Sequence, residues 1–340
     1  MSIIELILSL AAILGAAVLF TNAVEILGDR LGLGHGAVGS ILAAVGTALP
    51  ETMIPIVAIL GAVIVGSGGA AAGEIGIGAI LGAPFLLATL ALFIVGLSTI
   101  LYKERRSSGS EIVVNRSVTI PDMVFFLVCF TPAAGAGLIS LPLVLKIGLA
   151  AFLLLAYVAY VIYTIRTGSD ATEGEPPENL TLWPFRSTAP TWAVTGQVVG
   201  AVAVMGFGAH IFVDAVGHIS TAVGIPAGLI ALVLAPLATE LPEKFNSVIW
   251  LRDNKDTLAL GNITGAMVFQ STIPVSVGIL FTPWDLGFLS TLSAVFALIS
   301  GAVFIGFLLR KGPLRGFYLL GAGSLYFVFL VAAVVVVIRG

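Results

Sequence analysis

Long apolar runs alternate with short polar breaks along this chain, and the spacing of the breaks predicts ten membrane-spanning helices. The runs cover 3–28, 36–65, 75–101, 120–139, 141–165, 190–216, 223–251, 257–281, 285–309 and 316–338. Each is close to or longer than the roughly 20 residues a helix needs to cross the hydrocarbon. One long polar connection, 166–188, holds Asp170, Glu173, Glu175, Pro176, Pro177 and Glu178 and reads as a solvated, flexible tether. It divides the chain into spans one to five (1–165) and spans six to ten (189–340). The first apolar run carries Glu5, has no basic start and continues past Phe20, so it reads as a span and not as a cleaved leader.

Composition strengthens the membrane reading. Of 340 residues, 59% are hydrophobic and only 10% charged, with a mean hydropathy of +1.13; a soluble domain carries about 25% charged residues. The fold expected is all-α and polytopic, in a cell membrane, with the lipid bilayer as its solvent. No nucleic-acid partner, cofactor or obligatory protein partner is expected. Twelve of the fifteen basic residues lie in odd-to-even connections: Arg30; Lys103, Arg105, Arg106 and Arg116; Arg166 and Arg186; Arg252 and Lys255; Arg310, Lys311 and Arg315. Basic loops stay in the cytoplasm, so both termini are expected on the extracytoplasmic side.

A short stretch occurs twice: Gly46-Thr47-Ala48-Leu49-Pro50-Glu51 and Ala238-Thr239-Glu240-Leu241-Pro242-Glu243. A shift of 192 positions aligns Asn22-Ala23-Val24 with Asp214-Ala215-Val216, Gly32 with Gly224, Gly36 with Gly228, Leu42-Ala43 with Leu234-Ala235, and Leu49-Pro50-Glu51 with Leu241-Pro242-Glu243. A shift of 183 then lays Gly78-Ala79-Ile80-Leu81-Gly82-Ala83 on Gly261-Asn262-Ile263-Thr264-Gly265-Ala266. With five spans per half, the second copy enters the membrane from the opposite side. Such inverted repeats place substrate near the midplane, at interrupted helices. Helices two and seven are therefore expected to be broken at Pro50 and Pro242.

A carboxylate inside an apolar run costs about 2.5–3.5 kcal/mol on insertion scales; one copy reads equally as a kink with a snorkelling carboxylate, and two at matching depth point to a function. Each proline leaves the carbonyl four residues earlier, Gly46 or Ala238, without its helical donor. Freed carbonyls, threonine hydroxyls and carboxylates are oxygen ligands, which suit Ca²⁺ and Na⁺. A cation site between spans two and seven follows, with Glu51, Glu243, Thr47 and Thr239 as its centre.

The doubled motif resembles the calcium/cation antiporter superfamily, specifically the sodium/calcium exchangers, whose signature is Gly-Thr-Ser-Leu-Pro-Glu in each of two inverted repeats. The resemblance covers spans 1–3 and 6–8. It implies that Glu51 and Glu243 bind the transported ion, with Thr47 and Thr239 beside them. It also implies departures: motif serines fall on Ala48 and Glu240, serines of the next span on Ala83 and Ala266, and a further polar position on Leu87 and Gln270. Glu240 adds a carboxylate, and Lys244, four residues on, has the spacing for an ion pair. Lys244 either neutralises Glu240 or snorkels along the helix. Glu240, Glu243, Asn246 and Ser247 are expected on one face.

Other polar positions carry weaker signals. His210 stands one turn before Asp214, as part of a proton path or as a local polar contact at the membrane edge. His35 and His218 lie at connections. Trp183, Trp192, Trp250 and Trp284 sit near span ends, as interfacial anchors do. Cys129 reads as a packing residue of span four, and Pro84 and Pro274 as kinks. The function expected is a secondary active antiporter exporting Ca²⁺ against Na⁺ or H⁺. An intramembrane enzyme using Glu240 and Glu243 lacks a nucleophile motif or phosphate loop. The alternatives are a divergent family member with another cation selectivity and a former transporter turned non-transporting sensor or scaffold.

Overall fold

A computed structural model of the chain describes residues 2–30, 37–65, 69–167, 179–183 and 189–339; side chains at 28–29, 37–47, 64–65, 69–70 and 241–243 lie outside that description. The described parts of the apolar runs are mostly helical. The first half comprises α1 (Ser2–Arg30), α2 (Ala37–Leu60), α3 (Gly69–Leu86), α4 (Leu92–Leu101), α5 (Arg116–Ala136) and α6 (Leu143–Thr167). The second comprises α7 (Thr191–Val223), α8 (Ala227–Arg252), α9 (Asp256–Gln270), α10 (Ile273–Phe281), α11 (Phe288–Leu308), α12 (Gly316–Gly323) and α13 (Leu325–Arg339). Among the described residues, eight segments are long and apolar enough to cross a membrane, and two apolar stretches, Ala48–Val63 and Ala227–Glu240, are shorter.

The predicted breaks at Pro50 and Pro242 are not there: α2 runs from Ala37 to Leu60 and α8 from Ala227 to Arg252. One proline deletes one bond of the ladder, and in a membrane the neighbouring helices hold the rest in place. A five-residue π-helical turn, Gly61–Val65, extends α2 at its end, and two matching irregularities fall one span later in each half. A five-residue π-helical turn, Leu87–Ala91, joins α3 to α4, and Ser271-Thr272 separates α9 from α10. At the first, the Ser300 hydroxyl donates to the Ala88 carbonyl at 2.5 Å and that of Thr89 to Phe85 at 2.5 Å. At the second, the hydroxyls of Ser271 and Thr272 both donate to the Val268 carbonyl at 3.0 Å, and Pro274 opens α10 where its missing N–H costs nothing.

Small residues set a close helix crossing. A Cβ on Gly78 would stand 2.1 Å from the Gly228 carbonyl oxygen, and one on Gly82 2.2 Å from that of Leu232. Pro236 leaves that Leu232 oxygen without its helical donor, so the Gly82 backbone packs against an open carbonyl. This is small-residue packing between α3 and α8, the main cohesive device where lipid removes the hydrophobic drive. Gly82→Leu is expected to force the helices apart. The loss is about 1–3 kcal/mol or more, read as a lower thermal midpoint of the purified protein.

One end of the bundle is tied by loops. Arg106 and Asp256 are buried at 5% and 3% exposure and pair through two 2.7 Å bonds. Arg106 also donates to the Leu251, Gly109 and Glu111 carbonyls. A short antiparallel pair, β1 (Glu111–Ile112) with β2 (Leu314–Arg315), joins the same loop to the start of α12. Arg116 reaches the Gly312 carbonyl there at 2.5 Å. The α4–α5, α8–α9 and α11–α12 connections are thus one structure. Asp256→Asn leaves a buried guanidinium without its counter-charge, at a cost of about 3–5 kcal/mol. Differential scanning of the detergent-solubilised variant is expected to show it.

Two sequence expectations change. Residues 179–183 are not a free tether: Leu180 is buried beside Ala23, Ile26 and Val194. The Asn22 side chain accepts from the Thr181 N–H at 2.9 Å, and Gln197 accepts from that of Leu182 at 3.1 Å. Two amides on the packed pair α1 and α7 thus supply partners for backbone that the sequence leaves without secondary structure. Trp284 is no interfacial anchor. It is 2% exposed, packs on Gly278 and donates from Nε1 to the Ala133 carbonyl at 2.9 Å. Trp192 does face outward, and its ring meets Trp183 edge to face. Cys129 is buried within α5, as a packing residue should be.

Candidate cation site

Glu51 lies in the second half of α2 at 6% exposure, followed by Thr52 at 7%. The Thr52 hydroxyl is committed to the Ala48 carbonyl at 2.6 Å. Because α2 and α8 stay helical through Pro50, Pro55 and Pro242, the carbonyls of Gly46, Glu51 and Ala238 have no helical donor. Glu51 therefore brings a buried carboxylate and an open backbone oxygen to the same turn.

The α8 helix, which packs against α2, carries a buried polar face of Thr239, Glu240, Lys244 and Ser247. The Thr239 hydroxyl donates to the Ala235 carbonyl at 3.0 Å, which leaves its oxygen lone pairs available to a cation. The Ser247 hydroxyl points to the Ala259 carbonyl of α9 at 3.4 Å. Lys244 Nζ lies 3.2 Å from Glu240 Oε2, with both side chains 1–2% exposed. That geometry is an ion pair in the protein interior and overturns the snorkelling alternative. Burial is the reason: the ammonium has no water to reach. Asn246 is exposed, so the face runs 240–244–247 and omits it.

The α3 helix acts as a ruler between the two sides. Gly76 abuts Ile59 of α2, while Gly78 and Gly82 abut Gly228 and Leu232 of α8. Glu51 stands eight residues before Ile59, and Ala235 seven after Gly228. Both therefore lie about 10–12 Å along their helices from that contact, at 1.5 Å per residue. Ile54, Ala58, Ala231 and Ala235 accordingly share one buried cluster. Thr239 and Glu240 follow Ala235 by about one turn. Gln270, at 2% exposure, ends α9, and Ser271, Thr272 and Ser276 continue its buried polar run into α10. The α2 helix packs against α8, α9 and α10.

Not every predicted residue is brought there. His210 and Asp214 pair at 3.5 Å, but both side chains are more than half exposed on α7; the local-contact reading fits and the site does not include them. The side chains of Thr47 and Glu243, and His35 altogether, lie outside the described residues. Leu87 is fully buried in the π-helical turn and offers no side-chain oxygen. Two carboxylates border a cavity of about 440 Å³ beyond the end of α2: Glu74 and Asp285, with Ile59, Ile77 and Thr282 in its wall. Sequence reasoning missed Asp122, a buried carboxyl in α5 bonded by Tyr160 and Thr264. Its one signal is an acid inside an apolar run, masked by its place near the start of a predicted span.

A family profile described as sodium/calcium exchanger protein matches residues 1–166 and 193–337, nearly the whole chain. The chain belongs to the sodium/calcium exchanger protein family. Within curated proteins it is 28% identical over 131 residues to CaxA of Alkalimonas amylolytica and 26% identical over 129 residues to the membrane protein MJ0091 of Methanocaldococcus jannaschii. Those matches take in 37% and 38% of this chain and 40% of each relative. Among solved structures, the H⁺/Ca²⁺ exchanger CAX has a TM-score of 0.72 at 17% identity, covering 97% of this chain and 81% of that one. Native YfkE has 0.69 at 14%, covering 98% and 91%. The sodium-calcium exchanger NCX_Mj, soaked with Na⁺ and Sr²⁺, has 0.59 at 20%, covering 97% of both. Identities this low establish the exchanger fold, and the family profile establishes the kinship.

Proposed function

We propose that this exchanger-family protein is a secondary active antiporter that moves Ca²⁺ against Na⁺ or H⁺ by alternating access. The single observation that carries this is Glu51, a carboxylate buried in an apolar bundle on a helix that packs against α8. Glu51 and Glu243 hold the cation in this reading, with Thr47, Thr239 and the open carbonyls of Gly46 and Ala238 completing an oxygen shell and Gln270 at its edge. Glu240 is kept out of that shell by Lys244. Protonation of either central carboxylate, or sodium beside it, would displace calcium.

We read the ten spans as two inverted five-helix repeats, 1–165 and 189–340, joined by 166–188. The helix irregularities support it: the 183-position shift that aligns the glycines also carries the π-helical turn Leu87–Ala91 onto 270–274, where α9 gives way to α10. Gathering of Arg106, Arg116 and Arg315 in one tied loop structure supports a single basic face, hence extracytoplasmic termini. The cavity lined by Glu74 and Asp285 adjoins Lys146 and Thr282 at the other end of α5 and α6, and suits cation approach from that side. Loss of family oxygens at Ala83, Leu87 and Ala266 removes ligands a sodium ion needs, which favours H⁺ as the counter-ion.

Ca²⁺ uptake into proteoliposomes under imposed Na⁺ gradients, then under imposed H⁺ gradients, tests the reading. Uptake driven by one of them is expected. Absence of uptake under both gradients, with the reconstituted protein folded, sinks it.

A further inference from the structure

Asp122 is 5% exposed on α5. Its Oδ2 lies 2.5 Å from Thr264 Oγ1 on α9, and the Tyr160 hydroxyl on α6 donates to its Oδ1. Three helices thus meet on one carboxyl, and none of the three residues belongs to the α2–α8 site. The groups that face it are few. From α6 comes Tyr160, whose ring lies at a tilt against Phe125 and beside Tyr163. On α9 the one titratable residue is Asp256, at its first position and bound by Arg106. Helix α11, also packed on α5, has no titratable side chain. On α5 itself, Arg116 is turned to the Gly312 carbonyl and Cys129 lies two turns away. No cation pairs with Asp122 among the described residues.

An ionised carboxylate there is held by two neutral hydroxyls. Hydrogen bonds to a charged group contribute about 1.5–3 kcal/mol each, against a desolvation cost of several kcal/mol for an ion. A proton removes the charge without moving a heavy atom. Asp122 then donates through Oδ2 to Thr264 Oγ1 and still accepts from Tyr160, and Thr264 is free to turn its own hydroxyl hydrogen toward its helix backbone. Deprotonation reverses this: Thr264 must donate to Asp122, and α5 carries a buried charge.

We propose that Asp122 is a second proton-binding carboxyl, separate from the α2–α8 site, whose proton comes from water and sets how α9 is held to α5 and α6. Helix α9 also meets α8 through Ser247 and Ala259 and ends at Gln270, so the hold on α9 reaches the cation site. That second link rests on the exchanger reading; the proton site does not.

Infrared difference spectra of the full chain in nanodiscs, taken between mildly acid and alkaline buffer, separate the two. The expected result is a protonated-carboxyl band that is absent from Asp122→Asn and moved in frequency in Thr264→Val and Tyr160→Phe. Identical spectra for the parent and these variants overturn the assignment, and the two hydroxyl variants decide it if Asp122→Asn does not fold. In proteoliposomes, Asp122→Asn is expected to transport with a flatter pH profile, since one titrating carboxyl changes a rate by up to about tenfold per pH unit. An unchanged profile overturns the coupling to transport. A parent protein that moves no cation, yet shows the band, refutes the exchanger reading and leaves the proton site standing.

Discussion

Replacing Glu51 or Glu243 with glutamine is expected to abolish cation exchange. Glutamine keeps the volume and the hydrogen-bonding reach of glutamate, so packing around α2, where Glu51 is 6% exposed, is preserved. Only the charge is lost. A desolvated charge deprived of its counter-charge loses about 3–5 kcal/mol, which is about 10²–10⁴-fold in affinity. Initial rates of Ca²⁺ uptake in proteoliposomes measure this directly. Asp214→Asn is the matched control: its carboxylate is 58% exposed and paired with His210 on the outside of α7. Its uptake should stay within about twofold of the parent, the scale of an ordinary exposed substitution. Full activity in Glu51→Gln or Glu243→Gln would remove the cation site.

The second large effect concerns Lys244. Lys244→Met leaves Glu240 as a carboxylate at 1% exposure without the ammonium that stands 3.2 Å away. Breaking a buried pair from one side costs about 3–5 kcal/mol, whereas replacing both partners by neutral groups of similar size is often nearly neutral. The double variant Glu240→Gln, Lys244→Met is therefore expected to recover most of the lost thermal stability. It should also keep transport, because Glu240 is then still absent from the ion's shell. Lys244→Met alone should alter Ca²⁺ affinity by adding a competing carboxylate. Strictly additive losses in the cycle would mean the two side chains do not work as a pair.

The helical class and most span positions were legible because apolar length is imposed by the bilayer and survives any detail of packing. The doubled Pro-Glu stretch was legible for a related reason: one copy reads equally well as a kink with a snorkelling carboxylate, and the second copy at matching depth weighs against that. Helix breaks were not. Proline at Pro50 and Pro242 is a local signal, and the surrounding helices overrule it. The real irregularities, at Leu87–Ala91 and Ser271-Thr272, rest on hydroxyls and on contacts with distant residues such as Ser300. Trp284 looked like an anchor because its position near a span end is visible in sequence, whereas the cleft made by Gly278 and Ala133 is not. The docking of 179–183 needed Asn22 and Gln197 from two separate helices, a pairing no local pattern carries. Lys244 was half legible: spacing allowed the ion pair, and only burial chose it.

Crystals soaked with a strongly scattering divalent cation such as Sr²⁺ address the central claim most directly. One anomalous peak between α2 and α8, within about 2.3–2.6 Å of oxygens from both Glu51 and Glu243, is the predicted result. A peak that touches only one of those side chains, or a pair of carboxylates too far apart to share an ion, would contradict it.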